Sequence, residues 1–233
     1  MSQAPTVLLL VGSPRKQKST SDSLGSCLLD ALSRAGWAAH KLQAIDCLGL
    51  PGALRAMLEA VDGCDLLALS FPLYVDCLPA VATRTLELIA AHRAAPDSAL
   101  PGRRQRMLAI ANCGFPDAQH NRTALEICRC FAAETGFEWA GGLAMGGGEA
   151  LHGRPLNASW ARFSNQLRAL EAAAAALTAG GEIPEEAVRL MARPVMPPRL
   201  YIFSDGLGWR AQARQHGVAM KMRARPYQIR RIR

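Results

Sequence analysis

The sequence lacks long apolar runs and has few aromatic side chains. A helix that crosses a membrane needs about 20 consecutive apolar residues, and no stretch of the chain approaches that length, so we expect neither a membrane span nor a membrane partner. The apolar stretch 7–11 has no basic segment before it and no small-residue cleavage site after it, which argues against a secretory signal. Aromatic residues make up 6% of the chain, too few to favour a stacking surface for single-stranded nucleic acid.

Paired cysteine motifs are also absent. The seven cysteines are an odd number, scattered through apolar segments without a repeated short spacing, which favours a reducing compartment, the cytoplasm. Cys128 and Cys130 are two residues apart on a predicted helix, so their side chains point to different faces and cannot share a metal ion. We predict no metal site, and we interpret all seven as small core side chains: Cys27, Cys47, Cys64, Cys77, Cys113, Cys128 and Cys130.

Acidic residues are fewer than basic ones, 19 against 27, which gives a formal charge of +8. Six of the basic residues fall in the last thirteen positions: Lys221, Arg223, Arg225, Arg230, Arg231 and Arg233. A basic cluster at one terminus is more typical of a solvated or docking tail than of a surface that recognises bases. We therefore do not expect a nucleic-acid partner.

Strand and helix signals alternate through most of the chain. Apolar segments predict strands at 6–11, 37–42, 65–71, 107–112 and 137–144. Helical spacing predicts helices between and after them, including one that begins at Pro79, one at 122–135 and one at 157–177. Such alternation predicts an α/β fold, with a parallel sheet covered by helices on both faces.

The pattern changes after residue 181. A short helical piece, a proline-rich segment, a candidate strand at 200–203 and the basic tail follow one another. We predict a main domain over 1–181 and a C-terminal extension over 182–233. The extension has too few apolar residues for a core of its own, so we expect it to pack on the main domain or on a second subunit.

The first of three unusual loops, residues 12–21, has the sequence GSPRKQKSTS. It follows the first predicted strand and leads into a helix, and ligands of open parallel sheets bind at such strand ends. Hydroxyl groups, cations and a helix N-terminus together favour a phosphate. Neither GxxxxGK[ST] nor GxGxxG is present, so a monophosphate is favoured over a triphosphate or a dinucleotide. The alternative is a solvated loop that only caps the helix.

The second and third loops follow the third and fourth predicted strands. Residues 70–79, SFPLYVDCLP, offer an apolar and aromatic wall for a flat ring, in which Tyr74 is either a stacking group or a core tyrosine. In the third loop, NCGFP at 112–116, Gly114 would let the backbone approach a ligand closely. Cys113 has no histidine nearby in sequence, so we do not interpret it as a nucleophile.

Together the three loops resemble those of the flavodoxin-like NADPH-dependent FMN reductase family. VLLLVGSPRKQKST is similar to the first strand and phosphate loop of that family, FPLYVDCLPA to its Pro-x-Tyr flavin loop, and NCGFPD to the loop after its fourth strand. The segments GGLAMGGGEAL and RAQARQHGVAMKMRARPY are similar to a subgroup of NAD(P)H-dependent oxidoreductases. The resemblance covers essentially the whole chain.

The resemblance implies a three-layer flavodoxin-like fold, with a five-stranded parallel sheet in the order 2-1-3-4-5. It also implies FMN as cofactor, NAD(P)H as reductant and a homodimer. The implied cofactor-binding residues are Ser13, Arg15, Ser19 and Thr20 at the phosphate, Pro72, Leu73, Tyr74 and Val75 along the isoalloxazine, and Asn112, Gly114 and Phe115 at its other edge. The chain departs from the family at Lys18-Ser19-Thr20, where the phosphate loop often reads Gly-Asn-Thr.

The activity that the resemblance implies is that of a cytoplasmic NAD(P)H-dependent flavin oxidoreductase. It would pass electrons by a ping-pong mechanism to a quinone, a flavin or a similar small-molecule acceptor. The flavin would carry the chemistry, so no catalytic side chain is assigned. Two alternatives stay open: a non-catalytic binding module of the same fold that contacts an acidic partner through its basic tail, and an electron-carrier flavoprotein.

Overall fold

The computed structural model describes residues 4–95, 104–151, 153–156 and 160–224. The chain divides into two compact units, Met1–Val195 and Met196–Arg233, which we describe in turn. In the part of the chain that is described, no helix has the length and apolar character needed to cross a membrane.

A five-stranded sheet forms the centre of the first unit. Its strands are β1 (Thr6–Val11), β2 (Ala38–Gln43), β3 (Leu66–Pro72), β4 (Arg106–Asn112) and β5 (Glu138–Met145). All neighbouring pairs are parallel, and the order is β2-β1-β3-β4-β5. The flavodoxin-like fold class and the strand order predicted from the sequence are confirmed.

Helices cover both faces of this sheet. They are α1 (Thr20–Arg34), α2 (Ala44–Cys47), α3 (Pro51–Gly63), α4 (Ala80–Arg93), α5 (Arg122–Glu134), α6 (Trp160–Thr178) and α7 (Glu185–Ala192). The predicted helix start at Pro79 is confirmed, since Pro79 is the N-cap of α4. The predicted helix at 157–177 corresponds to α6, and its residues 157–159 lie outside the described residues.

The core consists of two clusters, one on each face of the sheet. Val7, Leu9 and Val11 of β1 pack with apolar side chains of α1, α6 and α7, whereas Leu8 and Leu10 pack with those of α3, α4 and α5. Consecutive side chains of a strand point to opposite faces, so a strand buried on both sides reads as an unbroken apolar run. That burial explains the apolar segments of β1, β3 and β4 in the sequence.

In its described residues, 196–224, the second unit contains one long helix, α8 (Pro198–Gln215), followed by a 3₁₀ turn at Ala219–Lys221. The candidate strand at 200–203 is therefore wrong. Four consecutive apolar residues do not distinguish a strand from a helix. Here Pro198 stands in the first turn, a position that proline favours. The basic tail from Arg225 onward lies outside the described residues.

Residues 182–195, which the sequence analysis assigned to the extension, lie in the first compact unit. The backbone N–H of Ile183 donates to the carbonyl of Ala140 in β5 at 2.8 Å. Helix α7 contributes Ala187, Leu190 and Met191 to the core cluster on that face.

All seven cysteines are free thiols. Cys77 and Cys130 are exposed, so the interpretation of all seven as core side chains is wrong for these two. Cys128 is buried while Cys130 is exposed, as the two-residue spacing predicted. Over the described ranges, no group of three or more His, Cys, Asp or Glu side chains is arranged to hold a metal ion.

Candidate functional site

One cleft lies at the carboxyl ends of β1, β3 and β4, where the three unusual loops meet. The strand order reverses between β1 and β3, and ligands of open α/β sheets bind at such a switch point. The lining residues are Ser13, Arg15, Lys18, Ser19, Thr20, Ser21, Pro72, Leu73, Tyr74, Asn112, Cys113, Gly114, Gly148, Glu149 and Gly153.

The loop after β1 ends in a well-formed helix cap. Ser19 is the N-cap of α1: its Oγ accepts from the N–H of Asp22 at 3.1 Å and donates to the carbonyl of Lys16 at 2.6 Å. The N–H groups of Thr20 and Ser21, in the first turn, have no acceptor within the helix. They provide two donors at the positive end of the helix dipole, which favours an anion in the cleft.

Lys18 needs no glycine-like backbone. The positive-φ residues other than glycine, among those described, are Lys16 (53°), Val75 (51°) and Asp76 (58°), so the left-handed position in this loop is Lys16. Lys18 ends the 3₁₀ turn Lys16–Lys18. The departure from the family pattern at position 18 is therefore compatible with the loop conformation, and it adds a cation to the cleft lining.

Charges around the loop are partly balanced. The guanidinium of Arg15 lies 3.8 Å from the Glu149 carboxylate, and both side chains are at least half exposed. Lys16 pairs with Asp46, away from the cleft lining. The lining thus includes two cations, Arg15 and Lys18, and one carboxylate, Glu149. This excess of positive charge attracts an anion.

A glycine-rich segment after β5 packs against the loop after β1. Thr20 Oγ1 donates to the carbonyl of Gly148 at 2.7 Å. Gly153 has a φ of 67°, and a Cβ there would lie 2.4 Å from the carbonyl carbon and oxygen of Lys18. Gly148 and Glu149 belong to the segment GGLAMGGGEAL at 141–151 and Gly153 follows it, but none of the three was among the site residues predicted from the sequence. The cluster of glycines in this segment was the signal that could have identified it.

The loop after β3 forms the apolar wall. Tyr74 and Cys77 exchange backbone hydrogen bonds of 2.9 and 3.1 Å around Val75 and Asp76, which gives a tight turn with positive φ at both central residues. A β-branched residue rarely adopts such a backbone conformation, so Val75 is strained. Pro72, Leu73 and Tyr74 line the cleft, whereas Val75 is 98% exposed and does not.

The loop after β4 ties the other two loops together. Asn112 Nδ2 donates to Ser21 Oγ at 2.7 Å and to the carbonyl of Phe71 at 3.1 Å. The carbonyl of Asn112 in turn accepts from the N–H of Leu73 at 2.7 Å. Nδ2 has only two hydrogens, and both are used in these bonds to Ser21 and Phe71. The buried Asn112 amide therefore holds the loops in position, and only its Oδ1 is left for a ligand.

Of the eleven cofactor-binding residues predicted from the sequence, nine line the cleft. The other two, Val75 and Phe115, are exposed, and Phe115 contacts the ring of His120 at a centroid distance of 4.5 Å. Ser21, Cys113 and the segment after β5 were not predicted. The roles of all these residues toward a ligand stay predictions.

Cys113 is not suited to act as a nucleophile. Burial raises the pKa of its thiol, although hydrogen bonds with the Phe115 carbonyl and the Asn121 side chain oppose that shift. The Asn121 amide donates to Cys113 Sγ at 3.4 Å. A raised pKa keeps the thiol protonated, and it is the thiolate that attacks.

The chain is similar to known proteins in its structure and not in its sequence. No protein-family model matches the chain, and no curated protein matches its sequence. An NADH:FMN oxidoreductase in its apo form superposes with a TM-score of 0.57 at 17% identity, over 84% of this chain and 99% of that one. The NAD(P)H:quinone oxidoreductase from Methanothermobacter marburgensis superposes with a TM-score of 0.55 at 16% identity, over 75% of this chain and 96% of that one.

A third similar structure is the FMN-dependent NADH-azoreductase from Bacillus anthracis in complex with FMN. Its TM-score is 0.52 at 14% identity, over 74% of this chain and 99% of that one. At identities this low, the structural similarity establishes the fold alone. The chain is thus an α/β protein of the flavodoxin-like fold, and these neighbours are of the kind that the sequence resemblance indicated.

Proposed function

We propose that the chain is an FMN-dependent NAD(P)H oxidoreductase. The observation that carries this proposal is the cleft that joins the N-terminus of α1 to the apolar wall Pro72–Leu73–Tyr74. The first end suits a phosphate and the second a flat ring. A flavin mononucleotide has both groups in one molecule.

At the phosphate end, the N–H groups of Thr20 and Ser21 are the proposed donors. Arg15 and Lys18 compensate the phosphate charge, and the hydroxyl of Ser13 lies in the same lining. Ser19 acts by capping the helix, since its hydroxyl already bonds to Asp22 and Lys16. Thr20 holds the glycine segment against the loop through Gly148.

At the ring end, Leu73 and Tyr74 provide the wall and Gly114 the close approach of the backbone. FMN, when bound, supplies the ability to accept and release a hydride. The chain's own residues bind and orient it, and none has to act as a nucleophile. Tyr74 lines the cleft and is 44% exposed, which supports a position beside the ring where a reductant and an acceptor could reach it.

We infer a ping-pong mechanism, in which the reductant and the acceptor use the same face of the ring in turn. If both substrates use the same face of the ring, the oxidised nicotinamide must leave before the acceptor enters. The names of the neighbouring structures, an NADH:FMN oxidoreductase and a quinone oxidoreductase, support an acceptor that is a quinone, a free flavin or a similar small molecule.

The sequence resemblance also supports a cytoplasmic homodimer. A measurement of the mass in solution tests whether the chain forms this dimer.

The experiment is an absorption spectrum of the purified protein, titrated with FMN and then with NADPH or NADH without acceptor. We expect one FMN per chain, a stoichiometric loss of its visible absorption on addition of reductant, and recovery when a quinone is added afterwards. Protein that cannot bind FMN would contradict the proposal and favour the binding module. FMN that binds but is reduced only through a partner protein would favour the electron carrier.

A further inference from the structure

Five hydroxyl side chains lie in the loop after β1 and the first turn of α1. Three of them donate to backbone carbonyls at 2.6–3.2 Å: Ser19 to Lys16, Thr20 to Gly148 and Ser23 to Ser19. A hydroxyl group has one hydrogen, so these three have none left for a ligand. The other two hydroxyl groups belong to Ser13 and Ser21.

The hydroxyl groups of Ser13 and Ser21 act as acceptors within the fold. Ser13 Oγ accepts from the N–H of Arg15 at 3.3 Å, and Ser21 Oγ accepts from Asn112 Nδ2 at 2.7 Å. Among the described residues, neither hydroxyl hydrogen has an acceptor. Both side chains line the cleft, although they are only 1% and 0% exposed. A buried hydroxyl hydrogen normally has an acceptor, so a ligand in the cleft is the partner that these two lack.

The orientation of Ser21 is fixed by both neighbouring strands. Its carbonyl accepts from Ser70 Oγ in β3 at 2.7 Å, and its Oγ accepts from the Asn112 amide in β4. An amide nitrogen can only donate, so this bond occupies a lone pair of the Ser21 oxygen and leaves the hydrogen unused. The two strands thus hold Ser21 at the base of the cleft as a donor.

A phosphate oxygen suits this donor better than a neutral group does. The Ser21 hydroxyl lies in the first turn of α1, where the helix dipole favours an anion. Arg15 and Lys18 belong to the same lining. Hydrogen bonds to an ionised acceptor are roughly twice as strong as those between neutral groups. A buried hydroxyl in this setting favours a phosphate over a ribityl hydroxyl.

We propose that the Ser21 hydroxyl donates to the ligand's phosphate, with Asn112 as its positioning residue, and that it thereby selects a phosphate monoester over the uncharged parent molecule. The inference rests on the proposed function, since it concerns the cleft assigned to FMN. It gives Ser21 the side-chain role that the sequence resemblance implied for Ser19 and Thr20, whose hydroxyl hydrogens are used within the fold.

The test is a calorimetric titration of Ser21→Ala with FMN and with riboflavin. We expect the FMN affinity to fall by roughly 10- to 150-fold, as for the loss of a hydrogen bond to a charged group. The riboflavin affinity should stay nearly unchanged, because riboflavin has the same ring and ribityl chain without the phosphate. The ratio of the two affinities therefore isolates the phosphate contact.

Two matched controls separate this contact from a general loosening of the helix turn. Ser70→Ala removes a buried hydroxyl that bonds to Ser21 from outside the cleft lining. Ser23→Ala removes a hydroxyl of the same turn whose hydrogen is already used. Both should retain the FMN-to-riboflavin ratio of the unaltered chain, and urea unfolding of each variant gives the accompanying loss of stability.

Inorganic phosphate without flavin distinguishes this inference from the proposed function. Phosphate should raise the melting temperature of the unaltered chain and of Ser70→Ala, but not that of Ser21→Ala, relative to chloride at equal ionic strength. A chain that binds no FMN but responds to phosphate through Ser21 would refute the proposed function and retain the inference.

The opposite result would overturn the inference and retain the proposed function. In that case the chain binds FMN, and Ser21→Ala has the same FMN-to-riboflavin ratio as the unaltered chain. Equal losses for the two ligands would assign the Ser21 hydroxyl to the ribityl chain or to the fold alone.

Discussion

Asn112 Nδ2 lies 2.7 Å from Ser21 Oγ, and this buried hydrogen bond joins the end of β4 to the first turn of α1. The same nitrogen bonds to the Phe71 carbonyl at the end of β3. One amide thus fixes the relative positions of three strand-end loops around the cleft. Through its bond to Ser21, Asn112 of β4 holds the first turn of α1 in place, and the N–H groups of Thr20 and Ser21 in that turn are the proposed phosphate donors.

Asn112→Ala should lower both stability and FMN affinity. Loss of the amide leaves buried partners unsatisfied, at a cost of about 1–3 kcal/mol in the free energy of unfolding. The freed loops should weaken FMN binding by about tenfold or more. Urea unfolding and a fluorescence titration measure the two effects. Gln166→Ala is the control: its buried amide bonds to the Arg193 carbonyl at 2.8 Å, far along the chain from the loops, so only stability should fall.

Gly153→Ala should displace the phosphate loop. The added Cβ would lie 2.4 Å from the Lys18 carbonyl, at a φ of 67°. Gly180→Ala is matched in backbone conformation, with a φ of 80°, but its Cβ would meet nothing within 4 Å. We expect both to lose about 1 kcal/mol of stability from the left-handed backbone, and only Gly153→Ala to lose FMN affinity. Equal FMN affinities in the two variants would show that the packing of Gly153 against Lys18 does not shape the FMN site.

Arg15 and Glu149 should affect FMN in opposite directions. Arg15→Gln removes a cation from the cleft and should weaken FMN binding, while Glu149→Gln removes the carboxylate 3.8 Å away and should strengthen it. Riboflavin, which lacks the phosphate, should bind both variants as it binds the unaltered chain. Comparison of the two ligands by calorimetry separates a phosphate contact from a general change in the cleft, and a parallel change for riboflavin would refute the assignment.

Val75→Asn should stabilise the fold. Asparagine tolerates the left-handed backbone that valine disfavours, and Val75, at 98% exposure, loses no packing on substitution. We expect a gain of about 1 kcal/mol in the free energy of unfolding. Val188→Asn, in the regular helix α7, should instead lose stability. No gain at position 75 would mean that the turn is not strained.

Stability should decline at alkaline pH through buried thiols. Burial raises the pKa of Cys128 to about 12 from its ordinary value of 9.0. The unfolded chain therefore loses this proton from about pH 9 while the folded chain retains it, so unfolding is favoured as pH rises between those values. Urea unfolding at pH 8 and pH 10 should show a smaller decline for Cys128→Ala than for Cys130→Ala, whose thiol is exposed.

Much of the fold could be predicted from local sequence. The apolar run Thr6–Val11 coincides with β1, and the segment 65–71 differs by one residue at each end from β3, because burial on both faces leaves an unbroken apolar signal. The 200–203 run was misassigned because its helical context depends on residues up to Gln215. A window of four residues does not contain that information.

The cleft could be predicted only in part. Loops directly after strands were found from composition, since the topology brings strand ends together. The bond from Thr20 to Gly148 joins residues 128 positions apart, and the packing of Gly153 against Lys18 joins residues that are even farther apart in sequence. The glycine cluster marks the segment as unusual, but no local pattern pairs it with the loop after β1, and only the tertiary structure shows that the two pack together.

The most direct test of the central claim is a crystal structure of the chain grown with FMN. We predict that the phosphate lies at the N-terminus of α1, within hydrogen-bonding distance of the Thr20 and Ser21 N–H groups, with the ring against Leu73 and Tyr74. A flavin bound elsewhere, or a cleft closed by the Lys18 side chain with no flavin in it, would contradict the account.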